Sequence, residues 1–266
     1  MSEFNGKRVV ITGACGVFGT RFAAAFAAAG ARVCLSDNRA GRLREAFDDL
    51  AGSGHMYHLT ELTDADSIDD LVDCVAQTFA GADIVVNNAG VYPFGLLIDL
   101  PVAQWDRVFA VNLRAPFLVA RGFAQLMTAR ATGGSIVNIG SGAARNMRAS
   151  TVHYCVSKTA LDSLTKGLAI EFAPLGIRVN AVEPGFAPGS EVSPLSDEHV
   201  RRVMEHIALG RASGQMDAPA AVMFLCSGAA AFITGATLSV DGGNSIGAPA
   251  HYPEDIRERL DRWRKT

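Results

Sequence analysis

The chain has 266 residues and a formal charge of -3, with 24 Lys plus Arg against 27 Asp plus Glu. Near-neutral charge with no basic run argues against nucleic acid as a partner, since phosphate binding wants clustered cations. Apolar residues make up 49%, enough to exclude disorder, yet the longest apolar stretch, 22–31, is too short for the ~20 residues of a membrane span.

Residues 7–12 (KRVVIT) form a β-branched run that predicts a first strand. A glycine-rich turn follows, then an alanine-rich helix over 20–29 that Gly30 stops. Strand-like runs follow at 32–36 and 56–59. Apolar residues at 68, 71, 72, 75 and 79 predict a helix over 67–79. Residues 83–86 read as a fourth strand. The stretch 105–127 reads as a long helix with a break or kink at Pro116. A fifth strand is expected at 135–139, a helix at 156–172, a sixth strand at 177–182 and a seventh at 237–240. Strands alternate with helices throughout, so the expected fold is α/β: a doubly wound parallel sheet of about seven strands with helices on both faces. One domain is expected over 1–266. Residues 185–211 have no strand signal and several Pro and Gly, so they read as a substrate loop ahead of the last helix and strand.

The first turn, Gly13-Ala14-Cys15-Gly16-Val17-Phe18-Gly19, sits between a strand and a helix. Glycines there let backbone approach a pyrophosphate, and the helix N-terminus offers free N–H groups. Asp37 follows Gly13 by 24 residues, where an acid suits the ribose hydroxyls of NAD and repels the 2′-phosphate of NADP. Arg39 and Arg42 leave some room for NADP. Tyr154 and Lys158 are four apart and share a helix face. An ammonium beside a phenol favours phenolate and lowers the tyrosine pKa, so this pair suits proton transfer. Ser141 ends the fifth strand. Gly13, Asp37, Asn88-Ala89-Gly90, Ser141 and Pro184-Gly185 all fall at the C-terminal ends of expected strands, the edge where open α/β sheets bind ligands.

With these residues in place, the sequence resembles the short-chain dehydrogenase/reductase family, in its short single-domain branch. The resemblance covers residues 6 to about 243. It rests on Thr12-Gly13 with Gly19, Asn87-Asn88-Ala89-Gly90, Asn112, Ser141, Tyr154 with Lys158, residues 176–180, Pro184-Gly185 and residues 233–243. It implies hydride transfer between a nicotinamide cofactor, NAD preferred, and a secondary alcohol or ketone. It makes Tyr154 the general acid/base and has Lys158 bind the nicotinamide ribose. Ser141 would hold the substrate oxygen, and Asn112 would hold a water in the proton relay.

Three departures from the family pattern stand out. The glycine usual at position 17 is Val17, with Gly16 instead, which gives the TGxxGxxG spacing of sugar-nucleotide epimerases and dehydratases. Those enzymes carry a larger C-terminal substrate domain, for which this length leaves no room. The acid expected at adenine is Glu61, followed by Leu62. Gly189-Ser190 stands where the family often has a threonine for the carboxamide. A non-catalytic dinucleotide sensor is the rival from another class, but such a protein has no need of Ser141, Tyr154 and Lys158 together.

The substrate is expected among Arg145, Met147, Arg148 and Phe186, with one arginine pairing with an anionic group. The tail, 244–266, contains a charged helix over 254–265 with Ile256, Leu260 and Trp263 as an apolar stripe. The resemblance implies an oligomer, and a homotetramer is expected. Five scattered cysteines without CxxC spacing, dispersed histidines and no signal-peptide pattern suggest a reduced cytoplasmic setting and no metal site.

Overall fold

The computed structural model describes residues 2–189, 196–247 and Arg262. The seven strands are β1 (Arg8–Thr12), β2 (Arg32–Asp37), β3 (Met56–Leu59), β4 (Ile84–Asn87), β5 (Gly134–Ile139), β6 (Ile177–Pro184) and β7 (Thr237–Val240). All pair in parallel, in the order β3-β2-β1-β4-β5-β6-β7. The order reverses between β1 and β4, which makes a crevice at their C-terminal ends.

The helices are α1 (Val17–Ala28), α2 (Ala40–Asp48), α3 (Ala65–Phe79), α4 (Val102–Phe109), α5 (Ala115–Ala129), α6 (Val152–Phe172), α7 (Asp197–Glu205) and α8 (Asp217–Cys226). Strand periodicity sorts the core into two layers. Val9 and Ile11 join Phe22, Phe26, Leu43, Val222 and Leu225 on the face covered by α1, α2 and α8. Val10 turns the other way, to Ile68, Leu71, Val119, Phe123 and Leu168 of α3, α5 and α6. Phe22, Phe26 and Phe123 are fully buried, each stabilising the fold by roughly 1.5–3 kcal/mol.

The expected break at Pro116 takes a different form. Helix runs on from α4 to α5 through one wide turn, Ala110–Arg114, in which the Ala115 N–H reaches back to the Ala110 carbonyl. Pro116 lies in the first turn of α5 and has no N–H to offer the carbonyl four residues back, that of Asn112. The chain widens there and carries on. Helices α2 and α7 were not expected. Only Leu43 of α2 is buried, and α7 has just a short half-buried stripe, Val200, Val203 and Met204, in an otherwise charged segment. The Ser196 side chain nevertheless caps α7 by accepting from the His199 N–H at 3.2 Å, and Asp197 and Glu198 occupy its first turn. Ser190 and the expected tail stripe of Ile256, Leu260 and Trp263 lie outside the described residues.

Candidate active site

A cavity of about 1040 Å³ runs along the strand ends from Asp37 to Phe186. Its floor is the glycine turn after β1. Gly13 has φ +62°, and a Cβ there would sit 2.7 Å from the Ala89 Cα, so two loops meet through a missing side chain. At Gly19 a Cβ would strike the Gly13 carbonyl, which lets α1 start close under the turn. Asn88 fastens this junction. Its Nδ2 donates to the carbonyls of Thr12 (3.0 Å) and Gly13 (2.8 Å), while its backbone N–H donates to Thr12 Oγ1 (3.1 Å). Helix α1 has no side-chain cap and no acid in its first turn. Gly16, Val17 and Phe18 at this end line the cavity; the Gly16 N–H donates to the Gly13 carbonyl at 3.1 Å, while those of Val17 and Phe18 have no backbone acceptor among the described residues.

At the far end of β2, Asp37 is 6% exposed and faces the cavity. Its Oδ2 accepts from the Cys15 N–H (3.0 Å) and Arg39 Nη2 (3.1 Å), and its Oδ1 from the Arg39 backbone N–H (3.2 Å) and Nε (3.0 Å). Burial works to raise the Asp37 pKa, but the Arg39 fork and the Cys15 N–H outweigh it and hold the carboxyl below its usual range. Cys15 itself does not line the cavity; its backbone positions Asp37. Glu61 lines the cavity, with Oε1 held by Thr63 and Oε2 by Asn38, and Leu62 is buried beside it.

Strand β5 delivers Ser141, and the first turns of α6 deliver Tyr154 and Lys158. The Ser141 hydroxyl accepts from the Ala143 N–H at 3.2 Å and stands with the Tyr154 phenol on the cavity wall. Tyr92 stands edge-on to Tyr154, with ring centroids 5.9 Å apart. Lys158 is 4% exposed; its Nζ donates to the Ile139 carbonyl at 2.7 Å and stands 5.9 Å from the Tyr154 ring centroid. Burial pushes the tyrosine up to about 12, while Ser141 and Arg148 pull it down. Burial also pushes Lys158 down to about 8. The expected lowering of Tyr154 by Lys158 is not seen: desolvation dominates at the phenol, and the ammonium donates to a carbonyl.

Asn112 stands behind the cavity wall, at the wide turn. Its Oδ1 accepts from the Val91 N–H (2.9 Å), and its Nδ2 donates to the Val91 carbonyl (2.9 Å) and Ser157 Oγ (3.1 Å). The end of β6 places Pro184, Gly185 and Phe186 on the opposite wall, and α7 adds Asp197, His199, Val200 and Val203.

Two expected substrate residues are corrected. Arg145 does not line the cavity: Nη1 pairs with Glu183 at 2.5 Å, and Nη2 donates to Ser239 and Ser245 (2.9 and 2.6 Å). Glu183 is 2% exposed, and its buried carboxylate draws the guanidinium inward. Met147 is 60% exposed and also off the cavity wall. Arg148 and Phe186 do line it. Tyr92, Phe94, Asp197 and His199, not singled out in the sequence, also line the cavity, the last two within the expected substrate loop. The cap at Ser196 was the available signal for the two α7 residues.

A family model described as Enoyl-(Acyl carrier protein) reductase matches residues 13–245. Galactitol 2-dehydrogenase from Agrobacterium fabrum is 33% identical over 254 residues, covering 91% of this chain and 98% of that protein. The chain belongs to the short-chain dehydrogenase/reductase family. This family member also resembles the 3-oxoacyl-[acyl-carrier-protein] reductase of Escherichia coli strain K12, at 33% identity over 244 residues, 91% of this chain and 98% of the other. Among solved structures it is similar to an NAD⁺-bound xylitol dehydrogenase, with TM-score 0.84 and 28% identity over 91% of this chain and all of that one. It is an NAD(P)-dependent alcohol dehydrogenase/carbonyl reductase.

Proposed function

We propose that the protein interconverts a secondary alcohol and its ketone with NAD(H) preferred over NADP(H), using Tyr154 as general acid/base. The observation that carries this reading is the placing of Ser141, Tyr154 and Lys158 together on the wall of a cavity whose other end is Asp37. A nicotinamide dinucleotide fits the residues present. The uncapped N-terminus of α1 offers N–H groups for a pyrophosphate, Asp37 offers a carboxylate for ribose hydroxyls, and Leu62 an apolar wall. When bound, that cofactor supplies or takes the hydride.

The chain's own residues manage the oxygen and its proton. Ser141 donates a hydrogen bond to the substrate oxygen where negative charge develops during reduction. In reduction the Tyr154 phenol gives its proton to that oxygen and is left as phenolate; in oxidation the phenolate takes the proton from the alcohol. Lys158 is assigned to the nicotinamide ribose. Asn112 is assigned to the proton relay, where it pins the Val91 loop to α6 through Ser157. Arg148 lines the substrate end and is assigned to an anionic or strongly polar group of the substrate.

We further place the activity in one domain and a homotetramer. Apolar side chains left open on α4, α5 and α6, among them Val102, Phe117 and Ile170, support assembly. Five unpaired cysteines support a cytoplasmic setting, and no described helix is long and apolar enough to cross a membrane.

The test is a screen of secondary alcohols, sugar alcohols among them because two relatives carry such names, with NAD and NADP in parallel. Absorbance of the reduced nicotinamide reports turnover. Turnover with NAD on at least one secondary alcohol supports the reading; reduction of neither cofactor by any substrate, in either direction, contradicts it.

A further inference from the structure

We propose that Arg21 is a positioning residue for the substrate: from α1 it holds the neck of the 186–213 segment and so fixes Phe186 on the cavity wall. The inference rests on the reading that this cavity takes an alcohol or ketone beside a nicotinamide dinucleotide.

The chain leaves β6 at Phe186 and comes back to the body of the protein at Ser213. The two ends are clasped, because the Ser213 N–H donates to the Phe186 carbonyl at 2.8 Å. Phe186 lines the cavity. Whatever holds Ser213 therefore holds Phe186.

On the strand side, the Gly185 N–H donates to the Val240 carbonyl at 2.8 Å. On the returning side, the Gly214 N–H donates to Asp217 Oδ2 at 2.7 Å, in the first turn of α8. The carbonyls of Ser213 and Gly214 both accept from Arg21 Nη1, each at 3.1 Å. Arginine suits this task. A guanidinium nitrogen of this kind carries two hydrogens in a rigid plane, so it can bridge two neighbouring carbonyls.

The arginine is itself braced. Its side chain is half-buried in the second turn of α1, with the guanidinium carbon 5.5 Å from the Phe18 ring centroid. Phe18 lines the cavity at the glycine turn and stacks on the core residue Phe22, with centroids 6.2 Å apart. Asp217 adds an opposite charge nearby; its carboxyl is lowered to about 2 by the Arg211 guanidinium and the Gly214 N–H, with Arg21 contributing.

Arg21 does not line the cavity, so its influence on the reaction passes through the neck. Without the guanidinium, two carbonyls lose their donor, the neck is free to shift, and Phe186 shifts with it. The glycine turn keeps its own fastening through Asn88. Substrate binding should therefore suffer and dinucleotide binding should not.

The test uses the full-length protein and three readings. They are KM and kcat for the best alcohol from the screen at saturating NAD, the NADH dissociation constant from nicotinamide fluorescence, and hydrogen exchange at the Ser213 amide. For Arg21→Ala the expectation is a KM about tenfold higher, the scale of one charge-assisted hydrogen bond, with kcat and the NADH constant within about threefold. The Ser213 amide should exchange about tenfold faster or more. Arg21→Lys, which keeps a cationic donor at the neck, recovers part of both losses and guards against a folding defect in the alanine variant. A KM within about twofold of wild type in both variants, or unchanged Ser213 exchange in both, overturns the proposal. So does a loss shared equally by KM, kcat and NADH binding, which marks a general structural role. Failure of the wild-type protein to turn over any alcohol overturns the function reading, and this substrate role with it; an unmoved KM in an active enzyme overturns the role of Arg21 alone.

Discussion

Replacing Arg145 separates a structural role from a substrate role. In Arg145→Ala the buried Glu183 carboxylate keeps only the Ser239 hydroxyl, at 2.9 Å, and loses its guanidinium partner. Ser239 and Ser245 each lose a donor as well. A hydrogen bond to a charged group contributes ~1.5–3 kcal/mol. The guanidinium is 43% exposed, so solvent screening places this pair near the lower end, at about 2 kcal/mol. For a domain of this size that corresponds to a fall in Tm of about 4–8 °C. Differential scanning calorimetry measures it directly. Adding Glu183→Gln to the alanine variant removes the stranded charge and should restore about half of the loss. The KM ratio between anionic and neutral substrates should not change. An unchanged Tm, together with a KM that rises only for anionic substrates, would refute the reasoning and return Arg145 to the substrate.

Other expectations follow from the same geometry. Arg148→Ala should raise KM for a carboxylate-bearing alcohol by about tenfold while leaving a neutral alcohol within about twofold; equal losses for both would remove Arg148 from substrate recognition. Asn88→Ala leaves two carbonyls of the phosphate turn without their donor, so about 2 kcal/mol of stability should go, seen in thermal unfolding. NADH should also bind more weakly to that variant, and unchanged binding would deny the turn its role. Lys158 should titrate near 8 in the ligand-free protein, followed as the lysine NMR signal that Lys158→Met lacks. It is a cation below that pH and neutral above it, so a midpoint above about 10 would show that burial does not govern it.

The strand ends were the legible part of this protein. The inner strands were located because a parallel sheet covered on both faces writes each as a short apolar run, and the half-exposed edge strands β3 and β7 were still bounded to the residue. Tyr154 and Lys158 were legible because one helical turn fixes their spacing. Helix α2 left little trace, since Leu43 is its single buried residue. The wide turn at Ala110–Arg114 was misread as a kink, because Pro116 announces a missing hydrogen bond but not how the backbone absorbs it. Arg145 and Arg148 look alike in sequence, three residues apart. What divides them is Glu183, a buried carboxylate 38 residues further along the chain that only the fold brings under Arg145.

Tyr154→Phe tests the central claim most directly, measured as kcat with the best alcohol from the screen alongside the NADH dissociation constant. The phenol hydroxyl is all that the variant lacks. We predict that kcat falls by about 10²–10⁴-fold, while NADH affinity changes by less than about threefold, under ~0.7 kcal/mol. A variant that binds NADH and keeps full turnover would contradict the account.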